Sequence, residues 1–268
     1  MPKYPVSVVV AAYNEGSGLF EIVDRILADL TRASERLDFE LLVVDDGSSD
    51  ATAAMLARFS AERPGAIRVL THPVNHGLVA AMRTGCEAAT KATVAYLDAD
   101  LSYRPEIVER LVAAKAESGA AVAIASPYMP GGTVSRVPLD RLIASRVGNW
   151  ILSRCSGGRL STFTGMVRAY DTAVLRELFT RKPVGEFNSW VIAALIQDER
   201  RIVEIPADLA WPPERYAASP RMSLESLVRR CGQVVATADF LWAACRRSKT
   251  LKTGTLVLSA QPTRPYIS

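Results

Sequence analysis

The chain has 268 residues, 49% of them hydrophobic and 22% charged, enough for one large domain or two small ones around a substantial core. Its net charge of +4 is too mild to imply nucleic-acid binding. Four cysteines, Cys86, Cys155, Cys231 and Cys245, show no paired spacing, which argues against a disulfide or zinc framework and for reduced thiols in a cytosolic protein.

Residues 6–12 form a continuous β-branched and small apolar run, the pattern of a buried parallel strand. A polar break at residues 13–17 follows, then Leu19, Phe20, Ile22, Val23, Ile26, Leu27 and Leu30 at helical spacing. A second buried strand over 39–44 ends in Asp45 and Asp46, and a helix runs through Ala54, Met55 and Leu56. Residues 67–70 predict a third strand, 78–89 a small-residue helix, and 93–97 a fourth strand that ends in Asp98 and Asp100. Pro105 suits the first turn of the next helix, and 121–125 is a fifth strand. No leader-like apolar segment precedes the first strand, and no apolar run reaches the roughly 20 residues a membrane span needs. The expectation is a protein that is soluble or peripheral to a membrane.

Strand and helix alternating from residue 6 to 125 predict an α/β fold with an open, mostly parallel sheet. Such sheets bind ligands at the carboxyl ends of their strands. Three polar or acidic clusters fall at that edge: Asn14 and Glu15, Asp45 and Asp46, Asp98 and Asp100. Residues i and i+2 of an extended chain point the same way, so Asp98 and Asp100 can converge if extended geometry persists that far. Two converging carboxylates suit a hard divalent cation, and solvated loop acids are the plainer alternative. The dinucleotide fingerprint and the Walker A loop are both absent.

Past residue 125 the pattern loosens. Residues 127–138 make a Pro/Gly loop, 139–155 an amphipathic helix, and 163–170 a strand followed by Asp171 as the N-cap of a helix. Helices are expected over 190–196 and 222–245, a late strand over 201–205, and a polar, flexible tail after residue 249. The 222–245 helix suits core packing or a membrane surface. Between residues 136 and 168 six arginines stand against one acid, Asp140, which fits either a solvated face or an anion site. His72 and His76 read as loop or cap residues.

Four segments in order resemble family 2 glycosyltransferases with the GT-A fold, in particular the polyprenol-phosphate (dolichyl-phosphate) mannosyltransferase-like branch. Ala12-Tyr13-Asn14-Glu15 is similar to the family's Pro-Tyr-Asn-Glu, and residues 43–50 to its nucleotide-binding signature. Asn75-His76-Gly77 through Gly85 resembles its Asn-x-Gly helix start, and Asp98-Ala99-Asp100-Leu101 its metal motif. In the second half, Arg215 and Arg221-Met222-Ser223-Leu224 resemble the branch's Arg-x-x-Gly-x-Ser-Lys segment, with Ala218, Pro220 and Arg221 in place of glycine, serine and lysine. Pro127 stands where the branch has an arginine, while Arg141 and Ser145 fit a matching pair.

The resemblance implies a nucleotide-sugar-binding half at 1–125, an acceptor-binding half at 126–220, a C-terminal helix at 221–249 and a flexible tail at 250–268. It implies a GDP- or UDP-linked donor held by Ala12, Tyr13, Glu15, Asp45, Asp46, Asp98 and Ala99, with Mg2+ or Mn2+ on Asp98 and Asp100. It implies an inverting transfer to a polyprenyl phosphate at the cytoplasmic membrane face, with Arg141, Ser145, Arg168, Arg215 and Arg221 for the acceptor phosphate. Transfer to the hydroxyl of a small soluble metabolite is the alternative. Glu186 is the acid to choose if a general base is used, and a helix-start charge otherwise.

Overall fold

A computed structural model of the protein describes residues 3–218, 222–247 and 257–259. The chain runs β1 (Tyr4–Ala12), α1 (Leu19–Arg32), β2 (Leu37–Asp45), α2 (Thr52–Glu62), β3 (Arg68–Thr71), α3 (Leu78–Ala88), β4 (Thr93–Asp98) and α4 (Ile107–Ser118). It continues with β5 (Val122–Ser126), β6 (Thr133–Ser135), α5 (Leu139–Cys155), β7 (Arg168–Asp171), α6 (Thr172–Phe179) and α7 (Phe187–Gln197). The last elements are β8 (Ile202–Pro206), β9 (Asp208–Ala210), α8 (Pro213–Ala218), α9 (Leu224–Arg247) and β10 (Val257–Ser259). Two compact units result: Met1–Ala113 with Val167–Thr180, and Ala114–Met166 with Arg181–Ser268.

In the first unit the strands lie in the order β7-β4-β1-β2-β3. All neighbours are parallel except β7, which runs antiparallel to β4. The apolar run of β1 explains its central place: Val6, Val8, Val9 and Val10 are fully buried, each contributing about 1.5–3 kcal/mol. Helix α1 buries Leu19, Val23, Ile26 and Leu30 at the spacing of one helical face. Helix α3 carries Gly85 because a Cβ there would lie 2.3 Å from a Val9 methyl. The register sets Ala12 opposite Asp45 and Ala11 opposite Asp98, so β1, β2 and β4 end level on one rim.

The second unit holds the parallel strands β10-β8-β5 and the two-stranded β6–β9 sheet. Helix α7 is buried on every side from Phe187 to Ile196, and α9 packs on both α5 and α7. The short strands β6 and β9 lie in segments read as loop or left unassigned, and β10 lies in the tail expected to be flexible; the rest of that tail is outside the described residues. The strand expected over 163–170 forms only from Arg168. Ahead of it the backbone N–H groups of Ser161 and Thr162 donate to Glu204, and those of Phe163 and Thr164 to Asn149, so side-chain acceptors replace a strand ladder. Asp171 caps α6 as expected, accepting from the backbone of Ala173 and Val174.

Candidate active site

The rim of the first unit is built from short side chains and backbone amides. Asn14 adopts a left-handed φ of 54°, which asparagine tolerates better than most residues. Its Oδ1 accepts from the Ser49 backbone at 2.9 Å, and its own N–H donates to Ser48 Oγ at 3.0 Å. The N–H of Glu15 donates to Thr52 Oγ1 at 2.9 Å and that of Gly16 to Asp50 Oδ2 at 2.9 Å. Asp45 is buried and accepts from the Ser48 backbone at 3.0 Å. The loops after β1 and β2 are thereby tied into one surface. Tyr13 stands out from it with nearly half its surface exposed, while Ala12 is buried in the strand.

Asp46 closes the next loop. Its Oδ1 accepts from His72 Nδ1 at 2.6 Å and from the His76 backbone at 3.0 Å, and its Oδ2 accepts from the Gly77 backbone at 2.7 Å. His72 Nε2 lies 2.9 Å from Thr84 Oγ1 on α3. Burial pushes the Asp46 carboxyl up, but the hydrogen bonds from His76, His72 and Gly77 outweigh it and hold the group below its ordinary value. Both oxygens of the residue expected to touch base or ribose thus hold the 72–77 loop at the start of α3. Gly47 is required beside it: φ is +71°, and a Cβ would lie 2.3 Å from the Val74 carbonyl carbon.

Asp98 ends β4 and Ala99 is buried behind it. Asp100 Oδ1 accepts from the Ser102 backbone at 2.8 Å, turning the chain toward α4, with Leu101 at a φ of 53°. Both carboxylates are partly exposed. Among the described residues no group of three or more His, Cys, Asp or Glu side chains is arranged to hold a metal. Two carboxylate donors at a strand end fit a small divalent cation that draws its remaining ligands from water and phosphate. Arg168 belongs to this unit and is wholly buried in β7, with Nη1 3.1 Å from the Tyr170 hydroxyl. Arg168 was expected to serve the acceptor phosphate; here a core strand encloses its guanidinium.

In the second unit Glu186 is the N-cap of α7. Its carboxylate accepts from the backbones of Asn188 and Ser189 and from Ser189 Oγ, each at 2.9 Å. The helix-start alternative is the one this geometry matches. Ser145, one turn beyond Arg141 on α5, accepts from the Tyr128 hydroxyl at 2.8 Å. The guanidinium carbons of Arg141 and Arg215 lie 5.6 and 4.2 Å from the centroid of one ring, Trp211. Arg136 Nε donates to the Trp211 carbonyl at 2.9 Å. Sequence reasoning missed Trp211 because a lone tryptophan after a short strand has no periodic signature. Arg221 lies outside the described residues.

Comparison with known proteins places this geometry in context. The family model for glycosyl transferase family 2 matches residues 7–179. The chain is 32% identical over 228 residues to the undecaprenyl-phosphate 4-deoxy-4-formamido-L-arabinose transferase of Edwardsiella ictaluri (strain 93-146), covering 83% of this chain and 64% of that protein. It is 32% identical over 180 residues to the polyprenol monophosphomannose synthase of Mycolicibacterium smegmatis (strain ATCC 700084 / mc(2)155), covering 66% of this chain and 65% of that one. The chain therefore spans just under two thirds of the length of these relatives. A mannosyltransferase from Pyrobaculum calidifontis, solved in complex with GDP-Man and Mn2+, shares the fold with a TM-score of 0.57 at 18% identity, over 95% of this chain and 80% of that one.

Proposed function

Because the chain belongs to glycosyl transferase family 2, we propose that it moves a sugar from a GDP- or UDP-linked donor to the phosphate of a polyprenyl lipid, with inversion at the anomeric carbon. The observation that carries this reading is the level ending of β1, β2 and β4, which brings Tyr13, Glu15, Asp45 and Asp98 to one rim of the first unit. The curated relatives that match the chain are named for polyprenol-phosphate acceptors, which supports the acceptor class.

In this reading the exposed Tyr13 ring and Glu15 hold base and ribose, while Asp46 works indirectly by fixing the loop that borders them. Asp98 and Asp100 would hold Mg2+ or Mn2+, which as a Lewis acid offsets the charge on a leaving nucleoside diphosphate. A phosphate oxygen of the acceptor forms the new bond to the anomeric carbon as the bond to the diphosphate breaks. That oxygen is already anionic, so no side chain has to take a proton from it. Arg141 and Arg215 serve to position it, with Ser145 beside them.

The lipid acceptor gives a role to two apolar stripes that the second unit leaves exposed. On α5 they are Leu139, Ile143, Val147 and Trp150; on α9 they are Leu224, Val228, Val235 and Trp242. Exposed Arg146 and Arg154 flank the first, and Arg229 and Arg230 the second. Apolar stripes edged with arginine suit a peripheral contact with an anionic lipid surface. Among the described residues no helix is long and apolar enough to cross a membrane.

The test is incubation of the protein with radiolabelled GDP- and UDP-sugars, undecaprenyl phosphate and MnCl2. Label in the organic phase, lost on chelation, is the expected result. Label on a water-soluble acceptor alone would refute the lipid reading.

A further inference from the structure

The cluster around Trp211 contains more than two acceptor arginines. Pairing of β6 with β9 sets Ser135 opposite Ala210, so Arg136 and Trp211 leave the small sheet side by side. The Trp211 N–H donates to the Ser135 carbonyl at 3.3 Å, and Arg136 Nε returns a bond to the Trp211 carbonyl at 2.9 Å. Arg136 holds a left-handed φ of 54°, an unfavourable backbone state for arginine that the surrounding contacts must maintain. Arg141 comes from the first turns of α5 and Arg215 from α8, and both approach the Trp211 ring within cation–π range. The Nε of Arg141 is buried and makes no hydrogen bond among the described residues. The nearby acid, Asp140, accepts from the Met222 backbone at 2.7 Å, so its carboxylate is engaged at the start of α9.

Two cations on the Trp211 ring and a third at its backbone carbonyl repel one another, and a phosphate dianion among them relieves that repulsion through charge-assisted hydrogen bonds. We propose that Trp211 is a positioning residue whose ring holds Arg141 and Arg215 as a clamp for a phosphate monoester, with Arg136 as the clamp's third cation. The inference rests on the phosphate-acceptor reading and adds two residues to it, Trp211 and Arg136. The ligand chemistry is a terminal phosphate dianion, from a lipid phosphate monoester or from inorganic phosphate.

Isothermal titration with farnesyl phosphate, inorganic phosphate and farnesol separates these sources. The wild type should bind farnesyl phosphate best, inorganic phosphate more weakly, and farnesol not measurably. Trp211→Leu keeps an apolar side chain but removes the π face, and should weaken farnesyl phosphate about tenfold, the loss of two cation–π contacts. The KM for lipid phosphate should rise by a similar factor, while kcat and the affinity for nucleoside diphosphate with Mn2+ stay within about twofold. Trp211→Phe retains a ring and should recover most of the binding. Arg136 is exposed, so Arg136→Gln tests the clamp without disturbing packing; about a threefold loss with a weaker salt dependence is expected.

Farnesyl phosphate binding unchanged in both Trp211→Leu and Arg136→Gln would overturn the clamp while leaving the phosphate acceptor standing. An equal loss of donor affinity in Trp211→Leu would also overturn it, as would a Trp211→Phe variant no better than leucine. A wild type that binds neither phosphate compound, or binds farnesol as well as farnesyl phosphate, would remove the acceptor reading and the clamp together.

Discussion

The strand-end rim of the first unit and the arginine cluster of the second are built from opposite materials. The rim uses short carboxylate, amide and hydroxyl side chains from the strand ends and the loops just past them, tied to backbone N–H groups at 2.7–3.2 Å. Few torsions separate such groups from the sheet, so register alone fixes where they stand. The cluster uses three arginines from a loop, α5 and α8, whose heads are set by an aromatic ring and a carbonyl. Long side chains lose about 2 kcal/mol of rotamer freedom when fixed, so here the partner does the positioning. A rigid rim suits a donor bound the same way each time; a cluster posed on one ring suits an anion that comes and goes.

The difference is broken most severely at Asp98 and Asp100. Asp98→Ala and Asp100→Ala should each lower sugar transfer by about 10^3-fold or more, the scale of losing a group that stabilises developing charge. Unfolding midpoints should change little, because both side chains are partly exposed. Near-normal turnover of either variant in the organic-phase assay would show that the carboxylate it lacks does not serve the reaction.

Asp46 sharpens the comparison in the other direction, since its role is to hold the rim. Asp46→Ala leaves the His76 and Gly77 amides and His72 without their acceptor and should cost about 3 kcal/mol in urea unfolding. The pH dependence follows from its lowered carboxyl. Its stabilisation is present above the ordinary 3.8 and is lost as pH falls through the lower folded value. The variant should therefore lose stability less steeply than the wild type below about pH 4.

These two regions were not equally legible in the sequence. Continuous apolar runs marked β1, β2 and β4 to within two residues, and their acidic endings located the rim, because a parallel strand buried on both faces leaves no other pattern. Asp46 was legible as a rim acid, but nothing in a linear motif says that His72 and two backbone amides hold its carboxylate. The arginines were counted but not sorted. Arg168 went into a core strand, and Arg136 joined Arg141 and Arg215 through β6 and β9, strands of three residues that are too short to show a period.

Glu186 tests whether the second unit hides a base. As an N-cap with three hydrogen bonds, it should cost about 1 kcal/mol when changed to Ala. Glu186→Gln keeps the acceptor oxygen and should leave kcat within about threefold. A loss of 10^2-fold or more in the glutamine variant, with unfolding unchanged, would mean that its carboxylate takes a proton after all.

The smallest expected effect on folding is at the exposed stripe of α5. Trp150 is 60% exposed and lies under the Arg154 guanidinium at 5.7 Å, so it buries little in the isolated protein. Trp150→Ala should change the unfolding free energy by less than about 0.5 kcal/mol, as surface substitutions do. Flotation with vesicles of an anionic phospholipid should fall, because an exposed tryptophan beside an arginine gains most where an apolar layer meets charged headgroups. The two measurements separate the alternatives: a stripe that only covers the second unit's own core would move stability, and a stripe meant for lipid would move flotation alone. Vesicles without anionic lipid set the scale, since arginine contributes about 1 kcal/mol each only near a negative surface.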